Sequence, residues 1–385
     1  MHSFGEYEAR LAPFAARSAH SRGRAFPEPE HPYRSPFQRD RDRIIHSSAF
    51  RRLESKTQVY THLYQEGDQF RKRLTHTLEV AQIARSVSRA LGLNEDLTEA
   101  IALVHDIGHA PFGHKGQDIL HDLMHDGGGF EHNTQALRIV CNIENRYPEF
   151  RGLNLTYELR EAIAKKGHRM TEPLKAEFET HPHCSLEGQV VDLCDPITYT
   201  THDLDDGIVN GAITADMLRE CELWNEGVAW TRAKYPAIRE SLLRPQVVRY
   251  IINEQATDLI TQTHRNIEEA GIATIDHIRV FPRKLAGFSP LMRDKHSGLK
   301  KFLQQNMYDH YRVKRMESHA RKIITELFNV FLDQPELFPP GVRSHFDEEK
   351  KAGNEKRIVC DYVAGMTDSF AQDEYQKLFG HSPKI

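Results

Sequence analysis

The sequence predicts an all-α protein with a multi-helix core, and two observations support this prediction. From Pro36 onward, Leu, Ile, Val and Ala recur at spacings of three and four residues with charged residues between them, which is typical of amphipathic helices. The strict alternation of apolar and polar residues that marks a half-buried strand is scarce. Residues 1–36 are instead rich in Arg, Pro and Ser and show no apolar periodicity, so we expect a flexible N-terminal arm there.

The composition limits the class of protein. The chain has 385 residues, 39% of them hydrophobic, which suffices for one large core or two closely packed lobes. Its 51 basic and 55 acidic residues leave a formal charge of -4, so any phosphate binding must be local. The five cysteines include no CxxC pair, which argues against a disulfide framework or a zinc ribbon. No apolar run has the length of a membrane span, and we expect a cytoplasmic protein.

The helices can be justified in order along the chain. One is predicted over residues 72–90, ending at Gly92, whose lack of a side chain suits the residue after a helix. The next begins near Asn94, a favourable N-cap, and is expected to stop at Gly108. Further helices are predicted at about 131–145, 155–165, 186–205, 212–222, 243–269, 298–330 and 355–379.

The window LVHDIGHAPFGHKGQ, residues 103–117, carries the clearest chemical signal. His105, Asp106, His109 and His114 lie within ten positions there, and RLTHTLEV upstream adds His76. Imidazole nitrogen combined with carboxylate oxygen suits Mn, Fe, Mg, Co or Ni better than a thiolate-rich zinc site does. Because such a site keeps coordination positions for water or substrate, hydrolysis is its natural use.

Five segments extend this signal in a fixed order. They are RIIHSSAFRRLESKTQV (43–59), RLTHTLEV (73–80), HDIGHAPFGH (105–114), GGFEHNTQALRI (128–139) and DPITYTTHDLDDGI (195–208). Over roughly residues 36–380 the chain resembles the HD superfamily, and within it the bacterial dGTPase-like deoxynucleotide triphosphohydrolases. The resemblance implies an HD-domain core at 37–210, after the arm at 1–36, and a helical C-terminal region at 211–385 packed on the core.

The resemblance also implies a set of metal ligands, namely His76, His105, Asp106 and Asp195. Asp192, Asp203, Asp205 and Asp206 compete for the last position. The family pattern places the ligand Asp four residues before a tyrosine and eight before a second Asp, which selects Asp195 with Tyr199 and Asp203. Residues at these spacings project from nearly one helix face.

Substrate contacts follow from the same resemblance, at Gln58, Val59, Arg73, His132, Tyr199 and Asp203. The Gln58 amide would bond the 3'-hydroxyl, while Val59 and Tyr199 would crowd C2' and disfavour ribonucleotides. Arg73 would hold the α-phosphate by charge-assisted hydrogen bonds. His132, after the glycine run, matches a position near the phosphates.

The family reaction is attack on the α-phosphorus, which releases deoxynucleoside and inorganic triphosphate. We expect His114 to be the general acid that protonates the leaving 5'-oxygen, and His109 to contact phosphate or water. The chain departs from many relatives at Gln117, where they carry a carboxylate three residues after the catalytic histidine. A neutral amide can orient a ring but supplies no charge, and Asp118 is an alternative source of that charge.

The expected cofactor is a divalent metal ion, Mg, Mn or Co, and the expected partner is a dNTP substrate. A dNTP activator, a homo-oligomer and weak binding of single-stranded nucleic acid are further expectations. Two alternatives stay open at this point. One is an HD-type phosphohydrolase of another nucleotide. The other is a nucleotide-sensing or single-strand-binding protein, to which the basic stretches at 39–43, 50–52, 295–301 and 310–315 would contribute.

Overall fold

A computed structural model describes residues 4–58, 71–166 and 176–380. Helices dominate these residues, which contain only isolated bridges in place of strands. The prediction of an all-α fold is therefore confirmed. The helices are α1 (Phe4–Glu8), α2 (Pro36–Ile45), α3 (Ser48–Arg52), α4 (Arg73–Ala90), α5 (Glu95–Val104), α6 (Gly113–Leu123), α7 (His132–Arg138), α8 (Tyr157–Lys166), α9 (Leu186–Val209), α10 (Glu222–Lys234), α11 (Glu240–Glu269), α12 (Ile275–Val280), α13 (Pro290–Leu303), α14 (Tyr311–Asp333), α15 (Pro340–Lys350), α16 (Glu355–Ala364) and α17 (Asp368–Phe379).

Two hydrophobic clusters hold the described residues together. The larger cluster joins α2, α4, α5, α8, α9, α11 and α13, with Val80, Leu97 and Val190 among its fully buried side chains. The smaller cluster packs α6 and the turn before it against α14, α16 and α17. The segment between α5 and α7 therefore lies between the larger cluster and the C-terminal helices. No helix in the described part of the chain combines the length and apolar character that crossing a membrane requires.

Several predicted helix limits are wrong for identifiable reasons. The helix expected to reach Gly108 ends at Val104, so His105 and Asp106 lie in a turn at the helix end. The helix predicted at 298–330 is interrupted by a wide turn at Gln304–Tyr308, and the one at 355–379 is broken between α16 and α17. Only a short 3-10 turn, Met217–Glu220, lies within 212–222, and α10 follows it. Apolar periodicity continues across these breaks because the helices on both sides of each break bury an apolar face.

The N-terminal segment differs from the predicted flexible arm. Ala15 and Ala16 are buried, and the Ala16 amide donates to the Glu187 carboxylate at 2.9 Å. The buried Glu8 carboxylate accepts hydrogen bonds from Ser18 and from the Asn94 side chain. Buried carboxylates need hydrogen-bond donors. The N-terminal segment donates to Glu187 and accepts from Asn94, and local composition cannot reveal such contacts between distant parts of the sequence.

Candidate active site

His76 and Asp195 meet between two long helices. His76 lies in the first turn of α4 and is fully buried, because the apolar face of that helix packs against α5 and α9. Asp195 lies within α9, directly before Pro196. The Nε2 atom of His76 is 3.2 Å from Oδ1 of Asp195. Side chains more than a hundred positions apart in the sequence are therefore brought into one cluster.

His105 completes this cluster with an unpaired nitrogen. Its Nδ1 donates to the Ala102 carbonyl at 2.6 Å, so the proton of the neutral ring lies on Nδ1. The Nε2 atom is buried, lacks a hydrogen-bond partner among the described residues, and lies 3.8 Å from Oδ1 of Asp195. Burial also lowers the pKa of His105, which favours the neutral imidazole that can bind a cation.

Three of the four expected ligands form a group that could hold a metal ion. Ligand atoms of His76, His105 and Asp195 all lie within 4.8 Å of one another. Two imidazole nitrogens and a carboxylate oxygen, with one nitrogen buried and unpaired, fit a divalent transition metal or magnesium. The residues present therefore suit the cofactor that the sequence predicted.

Asp106 lies beside this group and not within its tightest part. Its carboxylate is 4.0 Å from Nε2 of His76 and 3.3 Å from Nε2 of His105. One oxygen accepts from Arg73 Nη1 at 2.9 Å, and the other lies 3.1 Å from Nε2 of His109. Burial opposes ionisation, yet His105, Arg73 and His109 together hold the pKa of Asp106 well below its ordinary value.

The competing aspartates of α9 point to other partners. Asp205 and Asp206 pair with Arg71, and Asp192 pairs with Lys284 at 2.7 Å. Asp203 is buried and accepts a hydrogen bond from the hydroxyl of Tyr308, and burial raises its pKa to about 7. Of the aspartates considered for the fourth ligand, only Asp195 reaches the two histidines.

Lys166 is a site residue that the sequence did not reveal. It ends α8, and its Nζ lies 2.8 Å from Oδ2 of Asp195. Burial works against the charged ammonium, but Asp195 and Asp192 raise the pKa of Lys166 above its ordinary value. A lysine at a helix end is an ordinary surface feature in sequence, so no local signal identifies it.

Three further histidines form a cluster on the other side of Asp106. The rings of His109 and His132 are stacked with centroids 4.1 Å apart, and His114 meets them edge-on at 5.3 and 6.1 Å. Burial lowers the pKa of each ring, that of His132 to about 4. The three histidines expected to contact phosphate or donate a proton are therefore brought together, all near Arg73 and Asp106.

The sequence suggested that Gln117 orients the His114 ring, but in the structure Gln117 contacts His132 instead. Its Oε1 accepts from the backbone amide of His132 at 3.0 Å and lies 2.7 Å from Nδ1 of the same ring. The reason is helical geometry, because α6 turns Gln117 toward the start of α7. Asp118 is largely exposed and lies 3.6 Å from Lys115, and its charge acts to raise the pKa of His114, so it stays an alternative source of charge for that ring.

Two backbone features fix the turn between Asp106 and α6. A Cβ atom at Gly108 would lie 2.0 Å from the carbonyl oxygen of His132, so only glycine lets α7 approach this closely. Phe112 adopts a left-handed conformation with φ 65° and ψ 25°, which is uncommon for a residue with a side chain. The positions of His114 and His132 thus depend on backbone conformations that the surrounding structure must enforce.

The expected substrate contacts are spread around this centre. Arg73 is buried and bound to Asp106. The Oε1 atom of Gln58 is buried and has no hydrogen-bond partner in the described part of the chain, and Val59 lies outside the described residues. Tyr199 borders a cavity of about 310 Å³ with Lys300, Leu303 and Tyr308, and the Lys300 ammonium lies 5.6 Å from its ring centroid.

An all-helical fold with two histidines and an aspartate at one centre is the arrangement expected of an HD-domain protein. Residues 73–200 match the HD domain family, and residues 286–377 match the phosphohydrolase-associated domain. The chain is 48% identical over 373 residues to a deoxyguanosinetriphosphate triphosphohydrolase-like protein of Azoarcus sp. (strain BH72), covering 96% of each chain. Proteins of the same description from Ralstonia pickettii (strain 12J) and Geobacter metallireducens are 47% and 45% identical, with at least 95% of each chain covered. The chain therefore belongs to the deoxyguanosinetriphosphate triphosphohydrolase-like family.

Proposed function

We propose that the chain hydrolyses deoxynucleoside triphosphates, including dGTP, to deoxynucleoside and inorganic triphosphate with a divalent metal ion. The observation that carries the proposal is the position of Arg73, His109, His114 and His132 next to the His76–His105–Asp195 group. A guanidinium and three imidazole rings beside a cation site can supply positive charge and hydrogen-bond donors. This arrangement suits the binding of a phosphate ester at its α-phosphoryl group. The names of the relatives refer to the same class of reaction.

His76, His105 and Asp195 would hold the ion, with Asp106 as the fourth ligand. A bound divalent ion supplies Lewis acidity toward the phosphoryl oxygen and lowers the pKa of a coordinated water. We propose Mg, Mn or Co as the ion. Asp195 offers Oδ1 to the histidine side of the cluster while Lys166 occupies Oδ2, so the ion pair fixes the orientation of the carboxylate.

The chain's own side chains would bind the triphosphate and supply the proton. Arg73 donates charge-assisted hydrogen bonds to the α-phosphate, and His109 and His132 hold neighbouring phosphate oxygens. As water attacks the α-phosphorus and releases a proton to solvent, the bond to the 5'-oxygen breaks, and His114 in its imidazolium form donates a proton to that oxygen and becomes neutral. Gln58 would bond the 3'-hydroxyl, with Asp203 as a further polar contact to the sugar; Val59 and Tyr199 would exclude a 2'-hydroxyl.

Product analysis with matched variants tests the proposal. The purified chain is incubated with each of the four dNTPs, singly and mixed, and with GTP, in Mg, Mn or Co. We expect triphosphate and deoxynucleoside from dNTPs and little product from GTP. Asp195→Asn should lose this activity, whereas Asp192→Asn, on the same helix but paired with Lys284, should keep it. Release of pyrophosphate or single phosphate, or equal loss in both variants, would overturn the assignment.

The remaining expectations about partners stay predictions. They are a homo-oligomer, a dNTP activator, weak binding of single-stranded nucleic acid and a cytoplasmic location. The mixed-dNTP arm tests activation, since an activator would make the mixture faster than the sum of the single reactions.

A further inference from the structure

Asp368, the first residue of α17, joins the C-terminal helices to two separate parts of the candidate active site. Its Oδ1 accepts a hydrogen bond from the backbone amide of Phe112 at 2.9 Å. Its Oδ2 accepts from the backbone amide of Thr57 at 3.0 Å and from the Thr57 hydroxyl at 2.5 Å. Asp368 is only 8% exposed, so these bonds are shielded from water. A single buried carboxylate therefore ties together three segments that are far apart in the sequence.

One of these bonds is made to the strained residue of the catalytic turn. Left-handed backbone is unfavourable for a residue with a Cβ, so Phe112 needs external contacts to stay there. The bond to Asp368 supplies one such contact, and burial of the Phe112 ring in the smaller hydrophobic cluster supplies another. Phe112 lies two positions before His114, and its conformation sets where α6 starts and where the His114 ring lies.

A second link, through Lys56, reaches the opposite flank of the same turn. The buried Lys56 ammonium donates to the His109 carbonyl and to the Ala364 carbonyl at the end of α16. The turn from His109 to His114 is therefore fastened at both ends to the C-terminal helices. Thr57, bonded to Asp368, directly precedes Gln58, the expected sugar contact.

We propose that Asp368 is a positioning residue for the hydrolysis, holding the Phe112 turn and the Thr57 segment in one arrangement so that His114 and Gln58 face the same substrate. This inference rests on the proposed function. It makes the C-terminal helices part of the framework of the active site. Asp368 itself touches neither substrate nor metal ligands and acts through the two backbone segments that it binds.

Variants at Asp368 test this role in the full-length protein. Asp368→Ala removes both acceptors and should lower kcat by about ten- to a hundredfold, the loss that a misplacement near 1 Å can cause. Asp368→Asn keeps one carbonyl acceptor, so it should restore a large part of kcat. Asp373→Asn removes an exposed carboxylate from the same helix and should match the wild type. Thermal unfolding of each variant shows how much of the fold is retained.

A double-mutant cycle separates positioning from general destabilisation. If Asp368 acts mainly through His114, Asp368→Ala should lower kcat by a much smaller factor in a His114→Ala background, where only its effect through Gln58 remains. The same fold-loss in both backgrounds, or an unchanged kcat for Asp368→Ala alone, would overturn the inference.

Hydrogen exchange gives a readout that does not depend on activity. The peptide spanning residues 108–117 should exchange faster in Asp368→Ala than in the wild type or Asp373→Asn, while peptides of α4 and α9 stay unchanged. Unchanged exchange there would refute the inference. A wild-type protein that releases no triphosphate from any dNTP would instead contradict the proposed function, whatever the exchange shows.

Discussion

Replacing Gln117 with Glu would put a charge where the chain has a neutral amide. Oε1 of Gln117 lies 2.7 Å from Nδ1 of His132, so a carboxylate oxygen at this place would pair with the imidazolium. Burial lowers the pKa of His132 to about 4. An opposite charge at this range raises a histidine pKa by about one to three units, or about 1.4 to 4 kcal/mol. We therefore expect the pKa of His132 to rise to about 5 to 7 in Gln117→Glu.

NMR titration of the histidine ring carbons measures this shift, with the His132 signal assigned from a His132→Ala spectrum. The pH profile of kcat is recorded in parallel. Because Gln117 contacts His132 and the His114 ring lies 6.1 Å from that ring, the falling alkaline limb should stay in place if His114 is the proton donor. Asp118→Asn is the control for the NMR titration, since that exposed carboxylate should leave the pKa of His132 unchanged.

Two results would refute the reasoning in different ways. An unchanged pKa of His132 would mean that Gln117 does not contact its ring. An alkaline limb that moves upward together with the pKa of His132 would identify His132, and not His114, as the general acid.

Three further predictions concern binding, selectivity and stability. Asp106→Ala should abolish hydrolysis and also lower the free energy of unfolding by about 3 to 5 kcal/mol, because it leaves the buried Arg73 guanidinium unpaired; an active or fully stable variant would contradict this. Tyr199→Ala should raise kcat/KM for GTP relative to dGTP by about tenfold, and an unchanged ratio would remove Tyr199 from sugar selection. Burial lowers the pKa of His296 from 6.5 to about 4, so its neutral form is favoured in the fold and stability is lost as pH falls through this range. His296→Gln should remove up to about 3 kcal/mol of that loss, seen as a flatter dependence of Tm on pH.

The sequence predicted the parts of the fold that depend on local patterns. Helix α4 and the Asn94 cap of α5 appear where periodicity and capping chemistry placed them, and the Asn94 side chain accepts from the Asp96 and Leu97 amides. The breaks at Gln304–Tyr308 and between α16 and α17 were missed, since neither contains a proline and both continue an apolar pattern. The packing of the N-terminal segment was missed because it depends on Glu187, far along the chain.

The candidate site divides in the same way. The resemblance to the family implied Asp195 among the aspartates of α9, and the structure brings Asp195 to His76 and His105. Lys166 and Asp368 could not be found, because each becomes relevant only through a contact that the fold creates. Gln117 was noticed as unusual but assigned to the wrong histidine, because spacing along one helix does not tell which neighbouring helix its side chain meets.

The two ion pairs beneath the candidate metal centre bear on how the protein acquires its cation. Arg73 balances Asp106 and Lys166 balances Asp195, so the polypeptide compensates both carboxylates with its own positive charges. In zinc fingers, by contrast, folding itself depends on the ion. Here we expect the chain to fold without the ion and to bind it afterwards. A chelator should therefore inactivate the protein reversibly without a change in its circular dichroism spectrum. The identity of the bound cation would then depend on which divalent ions are available to the folded protein, and not on which ion was present while it folded.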